Sequence, residues 1–183
     1  NHLIGEAAGL YIASVTWPFW QECGQWKEVS YCILLEEALT QNTEDGVNRE
    51  QAVSYQQFVL DFLLFSGLAA RSTNHDFPAA YWERLDQMIG FLASIMDVQG
   101  NVPMIGDADD GYVTRLCPDK EFCPYKSLLA TGGLLFGRPE YLQKAGAVDD
   151  KTHWLLGLDY SCQDPPSVKK VSLKRSYAAG GYY

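Results

Sequence analysis

The chain has 183 residues, 47% hydrophobic and 13% aromatic, which excludes a disordered polymer and suffices for one domain with a sizeable core. A net charge of −9 argues against general binding to nucleic acid or anionic membranes, which requires basic patches. It also gives no bulk attraction toward a polyanion, so an acidic ligand would need a local cationic or hydrogen-bonding site.

The first predicted helix runs from His2 to Val15 and stops at Trp17-Pro18, where proline disfavours helical backbone in the residue before it. A second spans Phe19 to Thr40, with Cys23, Trp26, Ile33, Leu34, Ala38 and Leu39 at helical spacing. The stretch QNTEDGVNRE interrupts the pattern, with Asp45-Gly46 as its turn. A third helix is expected from Gln51 to Arg71, with Val59, Leu60, Leu63, Leu64 and Leu68 on one face. A fourth covers Pro78 to Met96, striped by Tyr81, Leu85, Met88, Leu92 and Ile95.

A long irregular loop follows from Val98 to Pro124, of a length that in compact domains is usually functional or disordered. Shorter helices are expected at Tyr125 to Phe136, Pro139 to Lys144 and Lys151 to Leu156. The alternating tail VSLKRSYAAGGYY reads as one or two strands. Long helical hairpins with short connections indicate an all-α layered or toroidal array, and suit a plain bundle equally well.

No signal peptide is visible, and no run reads as long enough to span a bilayer; the longest apolar stretch, FVLDFLLFSGLAA, contains Asp61. The chain starts inside a helical pattern and stops within a strand-like one, so it reads as a piece of a longer protein. Of five cysteines, Cys23 and Cys32 suit a helical core, while Cys117 and Cys123 flank CPDKEFC, a loop that a disulfide could close. The basic cluster of Lys169, Lys170, Lys174 and Arg175 reads as solvated surface.

Three constellations could carry chemistry. In NHLIGEAAGL, His2 and Glu6 are four apart and share a helical face, with Asn1 ahead of them and Gly5 and Gly9 keeping the surface narrow. A capped helix start with a surface His–Glu pair is the plain alternative, and no HExxH zinc motif is present. Glu50 and Tyr55 open the third helix, where a tyrosine is more often packing with a wet hydroxyl. In MIGDADDG, Asp107, Asp109 and Asp110 occupy a Gly-flanked loop. The EF-hand pattern fails, since Gly111 and Pro118 fall at the fifth and twelfth positions. A solvated acidic turn, a cap for helix ends, or a paired-carboxylate site remain open. His75 and His153 are isolated and read as packing or surface.

Taken in order, NHLIGEAAGL, DGVNREQAVSYQQFVLDFLL, MIGDADDG and the closing AAGGYY resemble the heparinase II/III-like polysaccharide lyases, across most of the chain. The resemblance implies an incomplete α/α toroid over 1–160. Residues 161–183 would then be a linker and the first strand or strands of a β-sandwich. It implies β-elimination on a uronic-acid-containing acidic polysaccharide, with no nucleic acid partner and no membrane insertion.

The resemblance also assigns roles. The Asn1 amide would bind the uronate carboxylate; His2 would help neutralise it or act as base; Tyr55 would protonate the leaving oxygen. Glu6 and Glu50 would orient the imidazole and phenol, and Asp107 and its neighbour Asp109 would hold helix ends near the site. No cofactor is required within these residues, and a structural metal belongs, if anywhere, to the β domain. A periplasmic place is favoured by resemblance, and a cytoplasmic one also suits five cysteines. Two positions depart from the family pattern: Ala52 stands where a Ser is expected, and Gln56 where a His is expected. The resemblance further implies a His, Tyr or Arg from the β domain, so these residues alone should be inactive. A non-catalytic carbohydrate-binding relative and a toroid glycoside hydrolase using the acidic loop are the alternatives.

Overall fold

The computed structural model describes residues 1–108, 111–157, 173 and 176–183. Its helices are α1 (His2–Thr16), α2 (Cys23–Thr40), α3 (Val53–Ser72), α4 (Ala79–Ile95), α5 (Pro124–Leu135), α6 (Pro139–Ala145) and α7 (Asp150–Leu156). The architecture is all-α, and each helix overlaps one that the sequence predicts.

The boundaries follow local chemistry. Trp17 leaves helical backbone (φ −126°, ψ 71°) because Pro18 follows it. α2 begins four residues later than expected: Phe19 and Trp20 find no apolar cover, at 80% and 55% exposure, and the chain makes tight turns there instead. α3 begins at Val53 because Gln51 is left-handed (φ 58°), outside any right-handed helix.

The helices alternate in direction. Asn1 touches Glu50, Gly5 faces Phe62, and Tyr11 meets His75, so α1 and α3 run the same way. Tyr31 stacks on Phe77 at 4.2 Å and Arg84 donates to the Leu39 carbonyl, so α2 and α4 run together, opposite to them. α5 starts beside Gly100 at the end of α4 and finishes with Phe136 near Trp82, which sets it parallel to α3. The first turns of α1, α3 and α5 therefore share one end of the molecule.

The core between them is built by α3 and α4: Val59, Leu60, Leu63, Leu64, Tyr81, Leu85, Met88 and Leu92 are fully buried. α2 contributes less than its pattern suggested. Leu34 and Ala38 are buried, but Trp26 is exposed, and Cys32 is exposed where a core position was expected. Cys117 and Cys123 are free thiols, so the disulfide that CPDKEFC could close is not formed. His75 packs against Tyr31, with ring centroids 4.6 Å apart.

α3 corrects another expectation. By length and composition it is apolar enough to cross a bilayer, yet 67% of its apolar window is buried in the protein. Its one carboxylate, Asp61, is ion-paired at 2.5 Å to Lys151 of α7. It is the central helix of the core.

Between α2 and α3 the chain forms a buried polar loop. Gly46 sits at φ 91°, and a Cβ there would overlap the Gln87 backbone of α4. Gly46→Ala should destabilise the protein by at least about 2 kcal/mol, read as a lower urea midpoint.

Among the described residues no strand forms where the tail alternates. Tyr177 and Tyr182 make a single antiparallel bridge around an Ala-Ala-Gly-Gly turn. That turn packs on the polar loop: the Ala179 and Gly180 amides donate to Asp45, and Gly180 lies against Val47. The expected domain boundary near 160, and the basic cluster at 169–175, lie outside the described residues.

Candidate functional site

Asn1 occupies the N-cap position of α1, yet its side chain does not cap that helix. Its Nδ2 donates instead to Glu50 Oε2 at 2.8 Å. An ionised carboxylate only accepts hydrogen bonds, so it can face only the NH2 end of the amide. Glu50 thereby fixes the amide rotamer and leaves the second N–H for a ligand. The bond from the Asn1 amide favours the ionised form of the Glu50 carboxyl. The group is an anion at neutral pH.

His2 is exposed on the first turn of α1 and makes no hydrogen bond to protein. Glu6 is exposed too, and no bond joins it to His2, although they share a helical face. Gly5 packs against Phe62 of α3, while Gly9 faces open space, so the narrow surface is partly filled by the neighbouring helix. Glu50 thus holds the amide of Asn1, a partner beyond the imidazole and phenol that the resemblance gives Glu6 and Glu50 to orient.

Tyr55 lies on the first turn of α3, half-buried, and its hydroxyl bonds to no protein group. That first turn is held by the acidic loop through backbone. Ile105 O accepts from Val53 N at 3.0 Å, and the Asp107 carbonyl accepts from the Ser54 hydroxyl. Gly106 is at φ 74°, and a Cβ there would press at 2.7 Å on Ala52, so this packing needs glycine. The Asp107 side chain is exposed, and Asp109 and Asp110 lie outside the described residues.

Sequence reading missed what supports Glu50. Asn48 is buried; its Oδ1 accepts from Glu50 N at 3.0 Å, and its Nδ2 donates to Asn42 Oδ1 at 3.0 Å. Gln56 is 2% exposed and completes the loop: its Oε1 accepts from Asn48 N at 2.6 Å and its Nε2 donates to Gly46 O at 2.7 Å. Arg84 reaches the Leu39 and Asn42 carbonyls at the end of α2, where the helix dipole favours a cation. The family departure at 56 is therefore an interior hydrogen-bonding residue, and Ala52, 4% exposed, is a buried contact for Gly106. Gln56→Ala should orphan two buried backbone groups and cost about 2–4 kcal/mol, read by chemical denaturation.

The arrangement can present one N–H of a fixed amide, an unbonded imidazole and an unbonded phenol at one end of the helices. Among the described residues, no three His, Cys, Asp or Glu side chains gather as a metal-binding group.

The heparin-sulfate lyase of Pedobacter heparinus is 27% identical over 157 residues, covering 79% of this chain and 23% of the relative. The chain thus spans less than a quarter of that protein's length. No solved structure matches. The model of the heparinase II/III N-terminus matches residues 1–119, a span that holds Asn1, His2, Glu50, Tyr55 and the 105–107 loop. With most of its length and every residue of the candidate site inside that match, the chain belongs to the heparinase II/III family.

Proposed function

We propose that the protein is a polysaccharide lyase that cleaves a uronic-acid-containing polysaccharide by β-elimination. The observation that carries this reading is the Asn1 amide locked by Glu50 with one N–H free, at the helix end that also bears His2 and Tyr55.

The chemistry explains the residue types. The C5–H of a uronate is a weak acid because the adjoining carboxylate is already negative. Removing that proton places more charge on the carboxylate, which fixed donors must then neutralise. The free N–H of Asn1 supplies one such donor. His2 serves as a second donor when protonated, or takes the C5 proton when neutral. The C5–H electron pair becomes the C4–C5 double bond, and the C4–O pair leaves with oxygen. Tyr55 protonates that oxygen. The base and remaining donors come in part from residues beyond these 183 in the proposed site.

The alternating helix directions support reading 1–160 as part of an α/α toroid, with 161–183 leading toward a β-sandwich. Asp107 lends the hydrolase alternative no support, since it holds α3 through its backbone carbonyl while its carboxylate is solvated. Incubating the natural full-length protein with a panel of uronate polysaccharides should raise the ultraviolet absorbance of a 4,5-unsaturated uronate with at least one of them. Cleavage that creates reducing ends without that absorbance would mean hydrolysis. Glu50→Gln should lower kcat/KM by about ten- to a hundredfold, because a glutamine amide no longer dictates which end of Asn1 faces the substrate.

A further inference from the structure

The acidic chain poses a problem for a polyanionic substrate, and the long loop before α5 holds its answer. Residues 112–122 line an open pocket of about 430 Å³, within the range of small-ligand sites. Its walls include Tyr112, Thr114, Arg115, Asp119, Lys120 and Phe122. Neither Arg115 nor Lys120 forms an ion pair; Arg115 lies over the Tyr112 ring at 5.6 Å. Most other cations of the described residues are committed, Arg71, Arg138 and Lys151 to carboxylates and Arg84 and Lys144 to carbonyls. The one lining carboxylate, Asp119, is engaged in its own turn, accepting from Glu121 N at 2.9 Å.

Two further features suit a sugar. The Thr114 hydroxyl oxygen is buried without a hydrogen-bond partner, an uncommon state that a ligand hydroxyl would relieve. Tyr112 and Phe122 set two aromatic rings 6.0 Å apart at 46°, the kind of surface on which the C–H face of a pyranose stacks. The loop is also in the right place. Upstream, Ile105 and Asp107 are fastened to the first turn of α3, which bears Tyr55; downstream, Phe122 lies two residues before α5. Both helix starts lie at the end that carries Asn1.

We propose that the 112–122 loop is a subsite for the carboxylate or sulfo group of a sugar flanking the cleaved bond, with Arg115 and Lys120 as its anion contacts and Thr114 as a hydroxyl contact. This rests on the polysaccharide lyase reading. Binding of a heparin-derived tetrasaccharide and of an unsulfated oligouronate tetrasaccharide is measured by titration calorimetry on the natural full-length protein and its R115A/K120A variant. Turnover is followed by absorbance on the polysaccharide that the wild type cleaves.

The double variant should bind acidic tetrasaccharide at least about tenfold more weakly, with KM raised in step and kcat within about twofold. Both substituted side chains line an open loop, and an unchanged melting curve confirms the fold; Arg115→Lys should recover part of the affinity. Weakening confined to the heparin probe assigns the sulfo group, and weakening of both assigns the carboxylate. Unchanged Kd and KM, or no binding by the wild type, overturns the subsite. Loop-dependent binding with no turnover on any substrate keeps the subsite and sinks the lyase reading. Turnover indifferent to the loop does the reverse.

Discussion

Tyr55→Phe should lower kcat for elimination by about 10²–10⁴-fold, the range over which a positioned general acid contributes. The hydroxyl bonds to no protein group, so its removal orphans nothing and leaves the half-buried ring packed. The melting temperature and the Kd for an oligosaccharide should therefore stay close to wild type, which separates this variant from a folding defect. Loss of turnover with intact binding supports a proton donor at the leaving oxygen. Full activity in Tyr55→Phe would mean that the leaving group is protonated by another residue, and the assignment of Tyr55 would fail.

The same site shows what a sequence can and cannot display. The long helices were legible from apolar spacing and from proline and glycine punctuation, because those signals act within a few residues. Asn1, His2 and Tyr55 could be named because they sit in recognisable stretches. What holds them could not. Glu50 reaches Asn1 across 49 positions, and no local pattern announces that pairing. Gln56, compared with the family pattern, looked like the loss of a histidine beside the phenol. The fold places it in the interior, where its amide ties Asn48 to Gly46 and so steadies the segment that delivers Glu50. DGVN read as a turn, which it is; that its Asp45 also accepts two backbone amides from the tail depends on contacts over 134 and 135 positions.

Lys151→Met is the second large effect, and it bears on the fold. Asp61 lies in the middle of the most apolar helix, and its side chain and that of Lys151 are 3% and 2% exposed. Burial pushes the Asp61 carboxyl up, and the ammonium at 2.5 and 2.7 Å opposes that shift. Removing the ammonium leaves a buried acid with no counter-charge, a change that typically costs about 3–5 kcal/mol. For a unit of this size the melting temperature should fall by about 10 °C. The double variant Asp61→Leu/Lys151→Met should recover most of that loss, because a matched apolar pair in a dry site avoids the desolvation of both ions. A double variant no more stable than Lys151→Met would show instead that the ion pair itself, and not the orphaned carboxylate, supplies the stability. In that case α7 would be held against α3 chiefly by charge, with the hydroxyl contact between Thr131 and Thr152 joining it to α5 as a secondary tie.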